Sequence, residues 1–320
     1  MDTFERIDKI FYPILAVIGV PVNLVAIVIL SREKCGLSTC TIRYLVAMAT
    51  ADLLVIITEV ILRQINQYYF PASFLNISPA CSVPVVLVCA AIDCSVWFTV
   101  SFAFDRFVAI CCLKLKTKYC TEKTAVTVLT TAGILLCLKN IPFYFTFKPY
   151  DIADDVPFLC YTNPSFYSEP GWVAFDLFDK IQNPFAPFVL IMLFNALTVR
   201  HVLVVSRFRK RLRAEGNSEN RSDPEIESRK KSMILLFTIS GSFLLLWSTY
   251  VVEFLYYSFS GLDPNNYSDS LHIFQQVGIV LMNISCCTNT LIYVATQSKF
   301  REHFKRAVKY PGISIIKLIT

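Results

Sequence analysis

The chain has 320 residues, of which 55% are hydrophobic and 17% charged. Soluble domains sit near ~45–50% apolar and ~25% charged, so this composition excludes an ordinary water-soluble enzyme or binding domain, and a mean hydropathy of +0.53 agrees. The formal net charge of +6 reads as a topology signal and not as a nucleic-acid footprint, because the basic residues gather beside apolar runs.

A helix needs ~20 mostly apolar residues to cross a bilayer. Seven such runs follow in chain order: 10–30, 41–62, 84–112, 125–144, 181–205, 232–257 and 271–295. The first is too long for a signal peptide and ends in Ser31-Arg-Glu-Lys34, a stop-transfer pattern. No internal repeat is visible, which weighs against an inverted-repeat transporter. A short amphipathic basic stretch, 298–308, follows the last run. The expected fold is an all-α membrane protein, a single domain over 1–320. It is a seven-transmembrane helix bundle with a short amphipathic helix after the seventh span.

Lysine and arginine orient it. The loops 31–43, 113–124 and 206–231 and the tail beyond 296, with Arg106 and Arg200 at helix ends, hold 24 of the 30 basic residues. The other side holds six: Arg6, Lys9, Arg63, Lys139, Lys148 and Lys180. By the positive-inside rule the N-terminus is extracellular and the C-terminus cytoplasmic, as in a multi-pass plasma-membrane protein. Of 12 cysteines, only Cys81 and Cys160 then fall on the oxidising side, where one bridge is open to them. Asn76-Ile-Ser and Asn266-Tyr-Ser lie on that side as glycan acceptors. Asn220 and Asn283 are expected to stay bare.

Polar residues inside the spans carry the chemistry. Asn23, Asp52, Ser95, Ser285 and Asn289 interrupt otherwise apolar runs, and polar groups at membrane depth normally face the bundle and mark function. Together they are expected to form one hydrated pocket. A lone carboxylate there is costly unless neutralised, so Asp52 is a candidate for an allosteric Na⁺, with a protonated Asp52 as the alternative. Asp105 and Arg106 close the third run. A snorkelling arginine beside its counter-charge is the plainer reading of that pair.

In order, spacing and sidedness, these residues resemble the rhodopsin-like (class A) G-protein-coupled receptors over nearly the whole chain. Asn23 and Asp52, in "ATADLL", look like the first- and second-helix landmarks, and Cys81 precedes Arg106 by 25 residues. Asp105-Arg106-Phe107 is similar to Asp-Arg-Tyr, and Asn289-Thr-Leu-Ile-Tyr293 to Asn-Pro-x-x-Tyr. "SVWFTV", "IPFYF", "LLFTIS" and "NTLIY" look closest to the orphan branch around G-protein-coupled receptor 139. The resemblance implies a Cys81–Cys160 disulfide and an activation switch at Phe243 and Trp247. It also implies a G-protein-coupling set of Asp105, Arg106, Phe107, Asn195 and Tyr293, with Asp105 holding Arg106 at rest.

Several positions depart from the family pattern. Thr249 stands where a sixth-helix proline is usual, Ala132 where a fourth-helix tryptophan is, and Asn195 where a tyrosine follows Pro187 by eight residues. Arg229, eighteen residues before Trp247, replaces an acid that would tie Arg106 to the sixth helix. A weakly coupling pseudo-receptor is therefore the alternative reading. Asn283 in place of lysine argues against an opsin, and Val88 in place of aspartate against a monoamine receptor. The candidate ligand pocket is Arg63, Val88, Ile92, Tyr250, Glu253, Phe254, Gln275 and Asn283, with Glu253 less squarely placed than Tyr250 and Phe254. Glu59 and Arg63 are spaced to pair with each other instead, Asp93 either bonds a neighbouring helix or receives a cation, and Phe143–Phe147 reads as interfacial belt. His201, His272 and His303 are scattered and no metal-ligand spacing, P-loop or nucleophile elbow occurs, so no enzyme, and no cofactor beyond Na⁺, is expected. A channel or transporter is the remaining rival class. The expected partners are an extracellular ligand (small molecule or peptide), a heterotrimeric G protein and membrane lipid, with no nucleic acid.

Overall fold

The computed structural model describes residues 2–33, 35–78, 80–153, 156–215, 224–260 and 268–309. Among the described residues seven helices are long and apolar enough to cross a membrane: Arg6–Arg32, Thr39–Tyr69, Ser82–Cys111, Glu122–Thr146, Pro170–Phe208, Lys230–Tyr256 and Asp269–Thr296. They are the first to seventh spans below. Large apolar side chains such as Ile10, Val17, Leu135 and Leu245 point outward, while Tyr44, Met48, Phe102 and Tyr293 are buried between helices. Such outward apolar surface is a liability in water and costs nothing in lipid.

Local chemistry sets the helix ends. Ser38 caps the second span by accepting the Thr41 amide, and Thr121 caps the fourth by accepting the Thr124 amide. The second span loosens into a π-helix over Ile56–Ile65, the stretch that carries Glu59 and Arg63; π segments often sit at functional sites. The fifth helix starts at Pro170, before the apolar run that marks it in the sequence, because Asp176, Asp179 and Lys180 dilute its first turns. It breaks at Asn183, whose backbone is extended (φ −151°, ψ 116°), just before Pro184. The sixth helix, Pro224–Ser260, has no proline after its first residue.

The third span is central, packing on the second, fourth and fifth. Between the fourth and fifth spans lies an antiparallel hairpin, β1 (Phe147–Ala153) and β2 (Val156–Thr162), with Pro149 opposite Cys160. The Cys81–Cys160 disulfide pins β2 to the start of the third span. This end of the bundle is the hairpin end. At the other end the amphipathic helix Ser298–Lys309 turns away from the seventh span. Its Phe300 is fully buried edge-on against Tyr293, 5.7 Å between centroids. Two glycines permit close helix contact. A Cβ on Gly19 would lie 3.0 Å from Cys287 Sγ and from Ile56, and one on Gly278 3.3 Å from the Tyr250 backbone.

Candidate functional site

Three polar layers run down the bundle. At the hairpin end a cavity of about 450 Å³ opens between the first, second, third, fifth, sixth and seventh spans. Of the residues expected there, Arg63, Val88, Ile92, Tyr250, Glu253, Phe254 and Gln275 line it. Asn283 does not: it is fully buried and its amide donates to the Ile279 carbonyl at 3.1 Å. Glu253 lines the wall with Tyr250 and Phe254, and receives Gln275 Nε2 at 3.5 Å. The Glu59–Arg63 pair forms at 2.8 Å and still lines the cavity, since Glu59 is 3% exposed and Arg63 48%.

The cavity also holds Asp8, Tyr12, Asp93 and Asp179. Asp93 makes a knot between three helices. It accepts Asn140 Nδ2 and Asn183 Nδ2, each at 2.7 Å, and pairs with Lys139 Nζ at 2.7 Å. Lys139 also bridges to Asp179 and to Gln182 Oε1 at 3.2 Å. The break at Asn183 is what brings its amide to the third span. Phe143 packs on Phe166 and Phe175 and touches Lys139, so it belongs to this end's aromatic cluster, whereas Phe145 is exposed as a belt residue would be. Among the described residues, five acids, Asp8, Glu59, Asp93, Asp179 and Glu253, line the cavity against two bases, Arg63 and Lys180.

The middle layer centres on Asp52, which is 1% exposed. Ser95 Oγ donates to its Oδ1 at 2.5 Å and Asn289 Nδ2 to its Oδ2 at 2.8 Å. A space of about 10 Å³ lies among Asp52, Ser95, Thr99, Ser242, Ser285, Thr288 and Asn289, with Phe243 and Trp247 alongside. That is room for one water-sized particle. One carboxylate with several hydroxyl oxygens suits a monovalent hard cation. Among the described residues no group of three His, Cys, Asp or Glu could hold a metal ion. Ser285 accepts Trp247 Nε1 at 3.2 Å, and Phe243 stacks on Trp247 at 5.2 Å, so the carboxylate layer and the switch residues share a wall. Asn23 stands apart from this layer. Its amide donates to the Gly19 carbonyl at 3.0 Å and the Cys286 carbonyl at 2.9 Å, so it ties the first span to the seventh.

The third layer is at the far end. Arg106, 7% exposed, donates from Nε to Asp105 Oδ2 at 3.0 Å, makes a second bond from Nη2 to the same oxygen, and reaches Ser232 Oγ from Nη1 at 3.2 Å. Cys40 Sγ donates to Asp105 Oδ1 at 3.2 Å, and Cys120 Sγ to the Asp105 carbonyl at 3.6 Å. Burial, with the Asp105 carboxylate beside it, pushes the Cys120 thiol up to about 12, so it stays protonated. Arg106 lines a cavity of about 350 Å³ with Thr41, Lys116, Ser232 and Gln297. Other residues expected with Arg106 point elsewhere. Phe107, one residue on, stacks on Phe194 of the fifth span at 5.9 Å. Asn195 Oδ1 and Tyr293 Oη are buried and have no hydrogen-bond partner among the described residues. The Arg229 side chain lies outside the described residues; the sixth-helix partner of Arg106 is Ser232, a small hydroxyl that no charge pattern marks.

Of the two glycan acceptors, Asn266 lies outside the described residues. Asn76 is 7% exposed, accepts Asn66 Nδ2 at 2.9 Å, and donates to the carbonyls of Phe70 and Pro71 at 3.2 and 2.8 Å. The nitrogen a glycan would occupy is engaged in the turn.

Residues 22–293 match the family model described as 7 transmembrane receptor (rhodopsin family). The chain is 24% identical to neuropeptide receptor 22 of Caenorhabditis elegans, over 92% of this chain and 68% of that one. It is 22% identical to neuromedin-U receptor 2 of Mus musculus, covering 94% and 74%. It is 24% identical to the probable G-protein coupled receptor 142 of the same species, covering 94% and 73%. The chain belongs to the rhodopsin family of seven-transmembrane receptors, a multi-pass membrane protein of a class that binds ligands and couples to G proteins.

Proposed function

We propose that the hairpin end faces the outside of the cell and that the 450 Å³ cavity takes a peptide presenting a basic group. The observation that carries this is the excess of acids, five against two, among the described residues of the cavity wall. Low-dielectric walls lined by one sign of charge focus the potential and favour the opposite charge in a ligand. Lys139 offsets part of it from behind, through Asp93 and Asp179. Glu253 and Asp8 are acids of the wall that Lys139 does not bridge. The names of two relatives, a neuropeptide receptor and a neuromedin-U receptor, support the peptide class. The imbalance of Lys and Arg supports the orientation, and the local likeness to the orphan branch around G-protein-coupled receptor 139 belongs to the same reading.

In this reading the far cavity receives a heterotrimeric G protein, and Arg106 is the residue released to line it when the sixth helix moves. Arginine suits that role because its planar fork stays charged and donates several bonds at once. A Na⁺ held by Asp52, Ser95, Ser285 and Asn289 would favour the closed arrangement. The test is nucleotide exchange by the full chain in lipid nanodiscs, driven by matched peptide pools with basic, neutral or acidic ends. The basic pool should activate, and Glu253→Gln should cut its potency roughly tenfold or more, since a charge-assisted bond contributes ~1.5–3 kcal/mol. Activation by the acidic pool alone would contradict the charge reading while leaving the receptor reading intact.

A further inference from the structure

The fifth span carries Arg200 on its outer face, toward the Arg106 end. It lies eight residues before Phe208, the last residue of that span, or about 12 Å along the helix from it at 1.5 Å per residue. It is exposed, and among the described residues no acid pairs with it. A charge on the lipid-facing side of a helix is costly unless it finds a partner or reaches the headgroups.

Arg200 and His201 sit in a side cavity of about 290 Å³ between the third and fifth spans, whose walls are Phe107, Cys111, Leu197 and Val204. Among the described residues no carboxylate lines it. Positions 197, 200, 201 and 204 are spaced to share one helix face, so two basic groups lie between two aliphatic ones. Val204 is 58% exposed and Leu197 37%, so this face looks outward to where acyl chains run. Phe107, one of its walls, stacks on Phe194 of the fifth span.

We infer that this groove binds an anionic phospholipid of the leaflet at the Arg106 end. Its phosphate accepts from the Arg200 guanidinium and the His201 ring N–H, and an acyl chain lies on Leu197, Val204 and Phe107. Arginine binds phosphate with two parallel bonds, and the basic residue gains the counter-charge that the protein does not supply. Phe107, which adjoins Arg106, is one wall, so an occupied groove holds the third and fifth spans in register beside the coupling residues.

The full chain in nanodiscs of mixed phosphatidylcholine and phosphatidylserine tests this, by measuring with native mass spectrometry which lipid stays bound. The intact chain should retain phosphatidylserine over phosphatidylcholine. Arg200→Gln should reduce that preference about fivefold, the effect expected for one basic residue at an anionic surface. Val204→Trp keeps every charge but fills the groove, and should reduce it as well. Arg207→Gln, an exposed base further along the same helix that does not line the groove, should reduce it clearly less than Arg200→Gln. Melting in pure phosphatidylcholine checks that each variant is folded. If Arg200→Gln or Val204→Trp retains the full preference, or if Arg207→Gln loses as much, the basic helix attracts anionic lipid generally and the groove is not a site.

Discussion

Ser232 gives the sharpest handle on the resting state. Its hydroxyl is the link from Arg106 to the sixth helix, at 3.2 Å, while the other two guanidinium bonds stay within the third span on Asp105. A bond to a charged group contributes ~1.5–3 kcal/mol when well made. This one is long and Ser232 is half-buried, so about 1 kcal/mol is the reasonable magnitude, roughly a fivefold change in a two-state ratio. In the proposed mechanism, movement of the sixth helix would break this bond, so its loss falls on the closed state. Ser232→Ala should therefore raise ligand-independent nucleotide exchange about fivefold at matched receptor number, and Ser232→Glu should lower it below the intact chain by giving Arg106 a charged partner there. Exchange that is unchanged in both variants would refute the idea that this contact restrains the bundle.

Cys81→Ala and Cys160→Ala should each cut surface expression, with the double variant no worse than either, since one disulfide of ~2–4 kcal/mol is lost in every case; additive losses would show that the two do not act as a pair. Replacing KCl by NaCl should raise the melting temperature of the intact chain, and Asp52→Asn should remove that dependence; if the dependence is absent from the start, a protonated Asp52 bonded to Ser95 and Asn289 stands instead. Gly278→Val should cost ~1–3 kcal/mol in thermal stability, because its Cβ meets the Tyr250 backbone at 3.3 Å. Gly241→Ala, whose Cβ meets nothing within 4 Å, should be neutral or stabilising by up to ~1 kcal/mol.

What the sequence discloses follows from contrast. Asp52, Ser95 and Asn289 are legible because each is polar in an apolar run, and the bundle has one interior in which such groups can meet. Cys81 and Cys160 are legible because sidedness removes the other ten thiols. Asn23 breaks the pattern: it is polar and inward, yet its amide is used up on backbone carbonyls of the first and seventh spans. The Asp93 knot was hidden because Asn140, Lys139 and Asn183 come from helix ends, where polar residues are ordinary and carry no signal. The hairpin, the π segment and the early start of the fifth helix were hidden for a related reason. Each departs from the plain apolar periodicity by which spans are recognised. Ser232 carries no signal in the sequence, because a small hydroxyl that no charge marks joins the third span to the sixth.

The most direct measurement is nucleotide exchange by a panel of heterotrimeric G proteins reconstituted with the purified full chain, comparing Asp105→Asn with Asp105→Asn/Arg106→Ala. Asp105→Asn removes the carboxylate that holds Arg106 and should raise exchange on at least one G-protein class without any ligand. Adding Arg106→Ala should return that exchange to the level of receptor-free vesicles while both variants remain folded. Equal exchange by the two variants, above that level, would contradict a mechanism in which Arg106 couples the bundle to its G protein.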